Sequence, residues 1–187
     1  EAVTIAKVDS SRKPIKGTEK RFECDTLLLS VGLLPENELS KKAGLTLSPV
    51  TGGPIVDNSF SAGNGIFACG NVLHVHDLVD YVSEEAALAG SQAAKYVKEG
   101  FKEKEYIKVS TGFGVRYTVP QYIQKGCEDV MLRFRVTDIF KGSSIVISSK
   151  GNVIKKIKRQ VMSPGEMESV KLNFKADEDI LVEVVNE

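Results

Sequence analysis

The chain has 187 residues, of which 42% are hydrophobic and 27% are charged. This apolar content is enough for a buried core, and the length allows two small domains. Lysine plus arginine and aspartate plus glutamate number 25 each, so no net charge favours nucleic acid or an anionic membrane surface as a partner. The longest apolar runs are strand-sized, and no secretory leader is recognised. With three widely spaced cysteines, the sequence predicts a cytoplasmic protein without a membrane span or a disulfide framework.

The first third of the chain is predicted to contain short strands. Residues 2–8 and 21–24 are β-prone and flank a polar stretch with proline and glycine, a pattern that predicts a hairpin with a loose loop. Residues 26–31 are apolar except for one serine and stop at Gly32, which is typical of a strand covered on both faces. Because Glu1 leads directly into the first strand, we expect the chain to begin inside a longer protein.

Two helices and two further strands are predicted before residue 100. Residues 37–43 are expected to form one or two helical turns, and residues 55–57 a short strand. Residues 65–70 are expected to form a second buried strand that ends in glycine. Residues 78–98 are rich in alanine and contain no proline, so they predict one long helix.

The hydrophobic pattern changes beyond Gly100 from a helical period to strict alternation. Alternating runs separated by turn signals predict a small all-β, sandwich-like domain. The sequence therefore divides into a first part, residues 1–105, and an all-β domain, residues 106–187. The alternating runs are residues 131–136, 144–147, 153–157, 170–174 and 180–184.

The pair Gly70 and Asn71 follows an apolar strand and precedes a loop and a helix that starts near Leu78. A dinucleotide site needs this order, because the strand end brings backbone close to the phosphates and the helix N-terminus supplies partial positive charge. The stretch resembles the second FAD-contacting motif of the pyridine nucleotide-disulphide oxidoreductase superfamily. In that family the strand ends in Gly-Asp, and the aspartate hydrogen-bonds the ribityl chain of the flavin. Asn71 stands at the aspartate position and keeps one acceptor while adding a donor.

The resemblance extends on both sides of this motif. Residues 26–37 are similar to the strand, glycine and Pro-Asn segment by which the family crosses from its NAD domain back to its FAD domain. Residues 72–80 are similar to a branch of anaerobe-type NAD(FAD)-dependent dehydrogenases, related to the nucleotide-binding subunits of sarcosine oxidase and cyanide synthase. The resemblance covers roughly residues 1 to 100.

The resemblance implies a Rossmann-like FAD/NAD(P)-binding α/β fold for the first part of the chain. It also implies an oxidoreductase that passes hydride between NAD(P)H and FAD, with a small-molecule substrate or a partner redox subunit reached through the flavin. The family's two GxGxxG loops are expected upstream of Glu1, because residues 112–114 lack the third glycine and do not open a helix. We therefore expect the isolated chain to be inactive and free of FAD and NAD(P), with no catalytic residue assigned.

Eight residues are assigned to the cofactor by this resemblance. The Gly-Asn pair is expected on the ribityl and phosphate side of FAD, and the start of the long helix at the flavin edge, where its dipole would stabilise negative charge on reduction. A histidine in the loop is expected to donate a hydrogen bond there. The eight residues are Gly32, Gly70, Asn71, His76, Asp77, Leu78, Val79 and Asp80.

Other interpretations of the same residues stay open. The Gly-Asn pair is also compatible with a simple turn. His74, His76, Asp77 and Asp80 have the donor types of a zinc site, but we expect no metal, with an aspartate capping the helix and the histidines packed in the loop. A competing class is a non-enzymatic interaction module, in which the β-sandwich from about residue 108 docks a partner subunit. The substrate, the choice of NAD or NADP and the presence of a homo-oligomer are not determined by the sequence.

Overall fold

The computed structural model describes residues 1–175 and 177–186. About 39% of the chain is strand and 16% is helix, so the protein is mostly β. It divides into two compact units, Glu1–Leu33 and Leu34–Glu187. Among the described residues, no helix combines the length and the apolar character needed to cross a lipid bilayer.

The first unit contains the predicted hairpin. Strand β1 (Ala2–Ile5) pairs antiparallel with β2 (Lys20–Glu23). In the loop between them, the carboxylate of Asp9 accepts the N–H groups of Ser11 and Lys13 and so fixes a tight turn. The hairpin prediction is therefore confirmed.

The prediction of a buried strand at residues 26–31 is wrong. These residues have no regular secondary structure, and Leu28, Leu29 and Val31 are 89%, 71% and 84% exposed. A β-strand exists only when a neighbouring strand satisfies its backbone N–H and C=O groups, and none of the described strands pairs with this segment. An apolar run thus indicates that burial would be favourable, but it does not show that a neighbouring strand is present to pair with it.

The first part of the second unit contains the two predicted helices. The short helix α1 (Glu38–Lys42) is followed by strands β3 (Ser61–Gly63) and β4 (Ile66–Phe67), a 3-10 turn (Gly70–Val72) and the long helix α2 (Val79–Glu99). Both helices lie within two residues of their predicted bounds, because helix propensity and a glycine after the last turn mark them locally.

The Rossmann-like part of the predicted fold is not supported by the structure. A Rossmann-like fold is built on a parallel sheet, whereas the strand pairs described in residues 1–105, β1 with β2 and β3 with β4, are both antiparallel. The strand expected at 65–70 is limited to β4, and residues 55–57 carry only an isolated bridge at Asp57 in place of the expected strand. No described strand in this part makes parallel ladders, so the segments lack the partners of a doubly wound sheet.

The rest of the second unit is a two-sheet β region, residues 106–186. One sheet has the strand order β10-β9-β12-β5-β7, with only β12 and β5 parallel, and the other has the order β11-β8-β6. The strands are β5 (Tyr106–Thr111), β6 (Val115–Val119), β7 (Tyr122–Gln124), β8 (Val130–Val136), β9 (Phe140–Ser149), β10 (Asn152–Met162), β11 (Glu168–Leu172) and β12 (Ile180–Asn186).

The two sheets share one hydrophobic core. Leu132 and Phe134 on β8 are fully buried in the same cluster as Ile145 and Ile147 on β9 and Val182 on β12. On each strand these positions are two residues apart, so they lie on the same face of the sheet. All five predicted alternating runs correspond to strands of this region, and the layered arrangement is that of a sandwich.

A second hydrophobic cluster connects the first part of this unit to the β region. Side chains from the segment before α2, and Ala89 of α2 itself, pack against β6. By compactness the chain divides between Leu33 and Leu34, and residues on both sides of the predicted boundary at 105–106 belong to this cluster. The buried members of this cluster are Val56, Phe60, Ala68, Leu73, Ala89, Tyr117 and Val119.

Truncation of the shared core should be costly. Phe134→Ala is expected to lower the free energy of unfolding by about 3–5 kcal/mol, because the ring is fully buried between the sheets. Met131→Ala, on the same strand but 38% exposed, should cost less than about 1 kcal/mol. Urea denaturation followed by circular dichroism measures both changes. Similar losses for the two variants would contradict the packing described here.

Candidate functional site

The segment from the 3-10 turn to the start of α2 contains the best-defined polar site in the described residues. Gly70 opens it with a φ of 70°, and a Cβ at this position would lie 3.0 Å from Cγ1 of Val82 on α2. A glycine is therefore required here both by the backbone conformation and by the close approach of the helix. The result is that the backbone N–H of residue 70 points at the helix.

Glu85 on α2 is the centre of this site. Its side chain is 1% exposed, and its Oε2 accepts the Gly70 N–H at 2.8 Å. The Nε2 atoms of His74 and His76 lie 3.2 Å from Oε1 and 3.1 Å from Oε2 of the same carboxylate. We call His74, His76 and Glu85 the His-Glu cluster. One carboxylate thus holds both ends of the loop against the helix.

Arg133 of β8 joins this site to the β region. Its Nη1 lies 3.3 Å from Oε1 of Glu85, and its Nη2 pairs with the carboxylate of Glu84. The guanidinium also lies 5.0 Å from the centre of the Tyr81 ring, within the range of a cation–π contact. Glu84 and Arg133 line a cleft of about 660 Å³ between α2 and the β region.

The pKa values of the cluster favour a charged carboxylate. Burial alone would raise the pKa of Glu85, but hydrogen bonds with His74 and His76, the charge of His74 and the Gly70 N–H together lower it to about 2. Burial lowers the pKa of His74, although the hydrogen bond to Glu85 opposes this effect. The cluster therefore contains an ionised glutamate beside a histidine that favours its neutral form.

Asn71 is exposed and has a local role. Its Oδ1 accepts the backbone N–H of His76 at 3.0 Å, so the side chain bridges the loop. The ring of His76 is turned toward Glu85, and its side chain is 1% exposed. The expected hydrogen bond from this ring to a flavin would require it to leave the glutamate.

The prediction that Asp77 or Asp80 caps α2 is wrong. The N-cap residue is Leu78, in an extended conformation, and no side chain caps this end of the helix. Asp77 instead bonds to the β region, where its Oδ1 lies 2.5 Å from Nη2 of Arg135 and its Oδ2 accepts the N–H of Met167 at 2.6 Å. The guanidinium of Arg135 on β8 and the backbone N–H of Met167, just before β11, give Asp77 stronger contacts than the helix end.

The start of α2 remains open to solvent. Leu78, Val79 and Asp80 are all exposed, and the first turn carries one acidic residue, Asp80. Without a side-chain cap, the N–H groups of this turn point outward with the positive end of the helix dipole. Gly32 lies in the first unit, in an exposed segment with a φ of 88°.

The sequence interpretation of the loop missed Glu85 as its central residue. The residues considered as zinc ligands from the sequence were two histidines and two aspartates. In the structure the histidines instead contact Glu85, which lies 11 residues after His74 and 9 after His76. A signal was present, because Glu85 stands three residues after Val82 and four before Ala89. Those positions share the buried face of a helix, where an unpaired carboxylate would be costly.

A cysteine adjoins the cluster. Cys69 precedes Gly70, and its thiol is free. Burial raises the pKa of this thiol, and the negative charge of Glu85 raises it further. The group therefore stays protonated at neutral pH and is a weak nucleophile.

Comparisons of the chain with protein-family models, with curated proteins and with solved structures found no match.

Proposed function

We propose that this chain is part of a cytoplasmic flavoprotein oxidoreductase that transfers hydride between NAD(P)H and FAD. In this proposal a small-molecule substrate or a partner redox subunit exchanges electrons with the flavin. The proposal rests on the motif resemblance and on the local geometry of the loop from Gly70 to Asp80. When bound, FAD would supply the hydride chemistry, and the protein would supply orientation and electrostatics.

The observation that carries the proposal is the open N-terminus of α2, which follows the Gly-Asn pair after a short loop. A 21-residue helix presents its first turn to solvent without a side-chain cap. Such an end binds an anionic or electron-rich group, because its N–H groups lack partners and the helix dipole adds positive charge. Asn71, seven residues before the N-cap Leu78, is exposed and has an Nδ2 donor suited to a hydroxyl of a ribityl chain.

The contact between the two motifs is a second support. Asn37, from the Pro-Asn segment, is 5% exposed and donates from Nδ2 to the carbonyl oxygen of Val72 at 2.8 Å. Its Oδ1 accepts from the hydroxyl of Ser40 at 2.8 Å. The segment that resembles the domain crossing is thereby fixed to the turn that resembles the FAD motif.

The contacts of His76 and Asp77 reduce the number of groups that can face a flavin. Because His76 is held by Glu85 and Asp77 by Arg135, the groups that remain to face a flavin are the backbone N–H groups at Leu78, Val79 and Asp80. We therefore propose that stabilisation of negative flavin charge comes from the helix end rather than from a histidine donor.

Flavin content tests the proposal directly. The protein expressed from its complete gene should purify yellow and release FAD on denaturation, measured by absorbance and by chromatography of the released cofactor. The 187-residue chain alone should purify colourless, because it has no GxGxxG loop to bind the pyrophosphate. A complete protein that neither retains nor binds FAD would refute the proposal.

Asn71 gives the sharper prediction. In the complete protein, Asn71→Ala should weaken FAD binding by about 1–3 kcal/mol, or roughly 5- to 150-fold, because a ribityl hydroxyl loses its partner. Asn71→Asp keeps an acceptor for the His76 N–H and should retain FAD affinity. Fluorescence titration of the apoprotein with FAD measures both. If alanine lowers only the apo melting temperature and leaves FAD affinity unchanged, Asn71 has a loop role and no cofactor role.

A further inference from the structure

We propose that the His-Glu cluster binds one divalent metal ion of the zinc class, with Nε2 of His74, Nε2 of His76 and a carboxylate oxygen of Glu85 as ligands. The candidate ligand atoms of the three side chains lie within 4.8 Å of one another. In a tetrahedral zinc site with bonds of about 2.0–2.2 Å, neighbouring ligand atoms are separated by roughly 3.3–3.6 Å. The Nε2 atom of His74 lies 3.2 Å from Oε1 of Glu85 and that of His76 lies 3.1 Å from Oε2, so each imidazole is close to this range from one of the two carboxylate oxygens.

Two groups around the cluster hold the Glu85 carboxylate in place. The Gly70 N–H and the Arg133 guanidinium both bond to the Glu85 carboxylate and fix its orientation before any ion binds. Ligands that are oriented in advance lose less freedom on binding, and bonded carboxylates are typical of metal sites. All three ligand side chains are 1% exposed, so a bound ion would be shielded from water by the protein.

The local charge permits a cation despite the nearby arginine. Glu84 and Glu85 carry two negative charges against one positive charge on Arg133, and Glu84 pairs with the outer Nη2 of the guanidinium. The site thus has an excess of negative charge before binding. A cation at the two imidazoles would lie on the side of Glu85 that faces the loop, where both histidines meet the carboxylate.

The Nδ1 atoms of the two histidines indicate that the His-Glu cluster binds zinc with moderate affinity. Both are buried and, among the described residues, have no hydrogen-bond partner. In most zinc sites the second ring nitrogen donates to a carboxylate or carbonyl, and loss of such a partner weakens metal binding by about 10- to 100-fold. We therefore infer a site that binds zinc reversibly. Three protein ligands leave the fourth position of a tetrahedral ion open.

Metal titration of the native chain tests this proposal. The chain is first freed of metal with a chelator and is not unfolded at any step. Equilibrium dialysis with zinc should give one ion per chain, and cobalt should produce the visible d–d absorption of a tetrahedral site. His74 and His76 are the only two histidines of the chain, so a histidine-ligated site has no other location. The free cysteines are distinguished by the intense near-ultraviolet band that a cobalt–thiolate bond adds. We expect the visible band without the thiolate band.

Two matched variants complete the test. His76→Gln removes one ligand and should weaken zinc binding by at least about 100-fold, more than the loss of an outer partner. Glu99→Gln, at the exposed far end of α2, should bind zinc as the unmodified chain does. Circular dichroism confirms that each variant is folded. Absence of stoichiometric binding by the folded native chain, a thiolate band, or equal binding by His76→Gln would overturn the proposal.

Discussion

Glu85→Ala is expected to lower the free energy of unfolding by about 3–5 kcal/mol, measured by urea denaturation in the presence of a chelator. The carboxylate is the common acceptor for the Gly70 N–H, both loop histidines and Arg133. Its removal leaves a buried guanidinium, 5% exposed, without its inner partner and leaves a buried backbone donor unpaired. The loop before α2 should lose its attachment at the same time.

The adjacent glutamate is the control for this prediction. Glu84 also pairs with Arg133, but its side chain is 61% exposed and solvent competes for the same contact. Glu84→Ala should therefore cost less than about 1 kcal/mol. If the two alanine variants lose equal stability, Glu85 is not the centre of the site.

The charge of Glu85 also predicts a dependence on pH. Its pKa is about 2 in the folded chain and 4.5 when unperturbed, so the folded state favours the ionised form. The stability that this charge contributes is complete above pH 4.5 and is lost as the pH falls from there toward 2. Glu85→Gln should remove that part of the acid sensitivity, whereas Glu84→Gln should leave it in place.

The β region was predictable because its determinants are local. On β8 the buried apolar residues recur at every second position, on β12 buried and partly exposed residues alternate from Ile180 to Val184, and the glycine at position 151 marks a turn between β9 and β10. Such alternation fixes which residues enter the core before any partner strand is known. The long helix α2 was predictable for the same reason, from composition and a terminal glycine.

The conformation of residues 26–31 and the packing across residues 105–106 were not predictable in this way. An apolar run such as Leu27, Leu28 and Leu29 indicates that burial would be favourable, but it does not say what provides the covering surface. A change of hydrophobic period marks a change of secondary structure and says nothing about packing across residues 105–106. Whether Val56 and Phe60 contact β6 depends on the tertiary arrangement alone.

The candidate site was predictable in position but not in its contacts. The sequence identified the loop from Gly70 to Asp80 through its glycine, its polar residues and the helix that follows. It assigned Asp77 to the helix end, whereas Arg135 and the backbone of Met167 are its partners and lie 58 and 90 residues away. Contacts between residues so far apart in the sequence leave no periodic pattern. The sequence alone therefore could not show which donors Asp77 binds.

Gly53→Ala is expected to have a comparably large effect through backbone contact. A Cβ at this position would lie 2.2 Å from the carbonyl oxygen and 2.6 Å from the Cα of Leu73. Leu73 is fully buried, and its N–H is bonded to the carbonyl of Gly70, so the turn cannot move aside without loss of packing. Gly53 itself is held by Ser48, whose N–H donates to its carbonyl at 2.8 Å. The clash therefore separates two fixed backbone segments.

The expected loss for Gly53→Ala is about 3 kcal/mol or more, since neither segment can relax by rotating a side chain. Gly90→Ala is the matched control, because Gly90 lies inside α2 and a Cβ there meets nothing within 4 Å. That change should stabilise the chain by about 1 kcal/mol through helix propensity. Thermal and urea unfolding of the two alanine variants would distinguish a specific clash from a general tolerance of added methyl groups. The turn that contains Leu73 also contains Gly70, so Gly53→Ala should in addition displace the Gly70 N–H that donates to Glu85. A stable Gly53→Ala variant with an intact His-Glu cluster would contradict the close packing of Gly53 against Leu73.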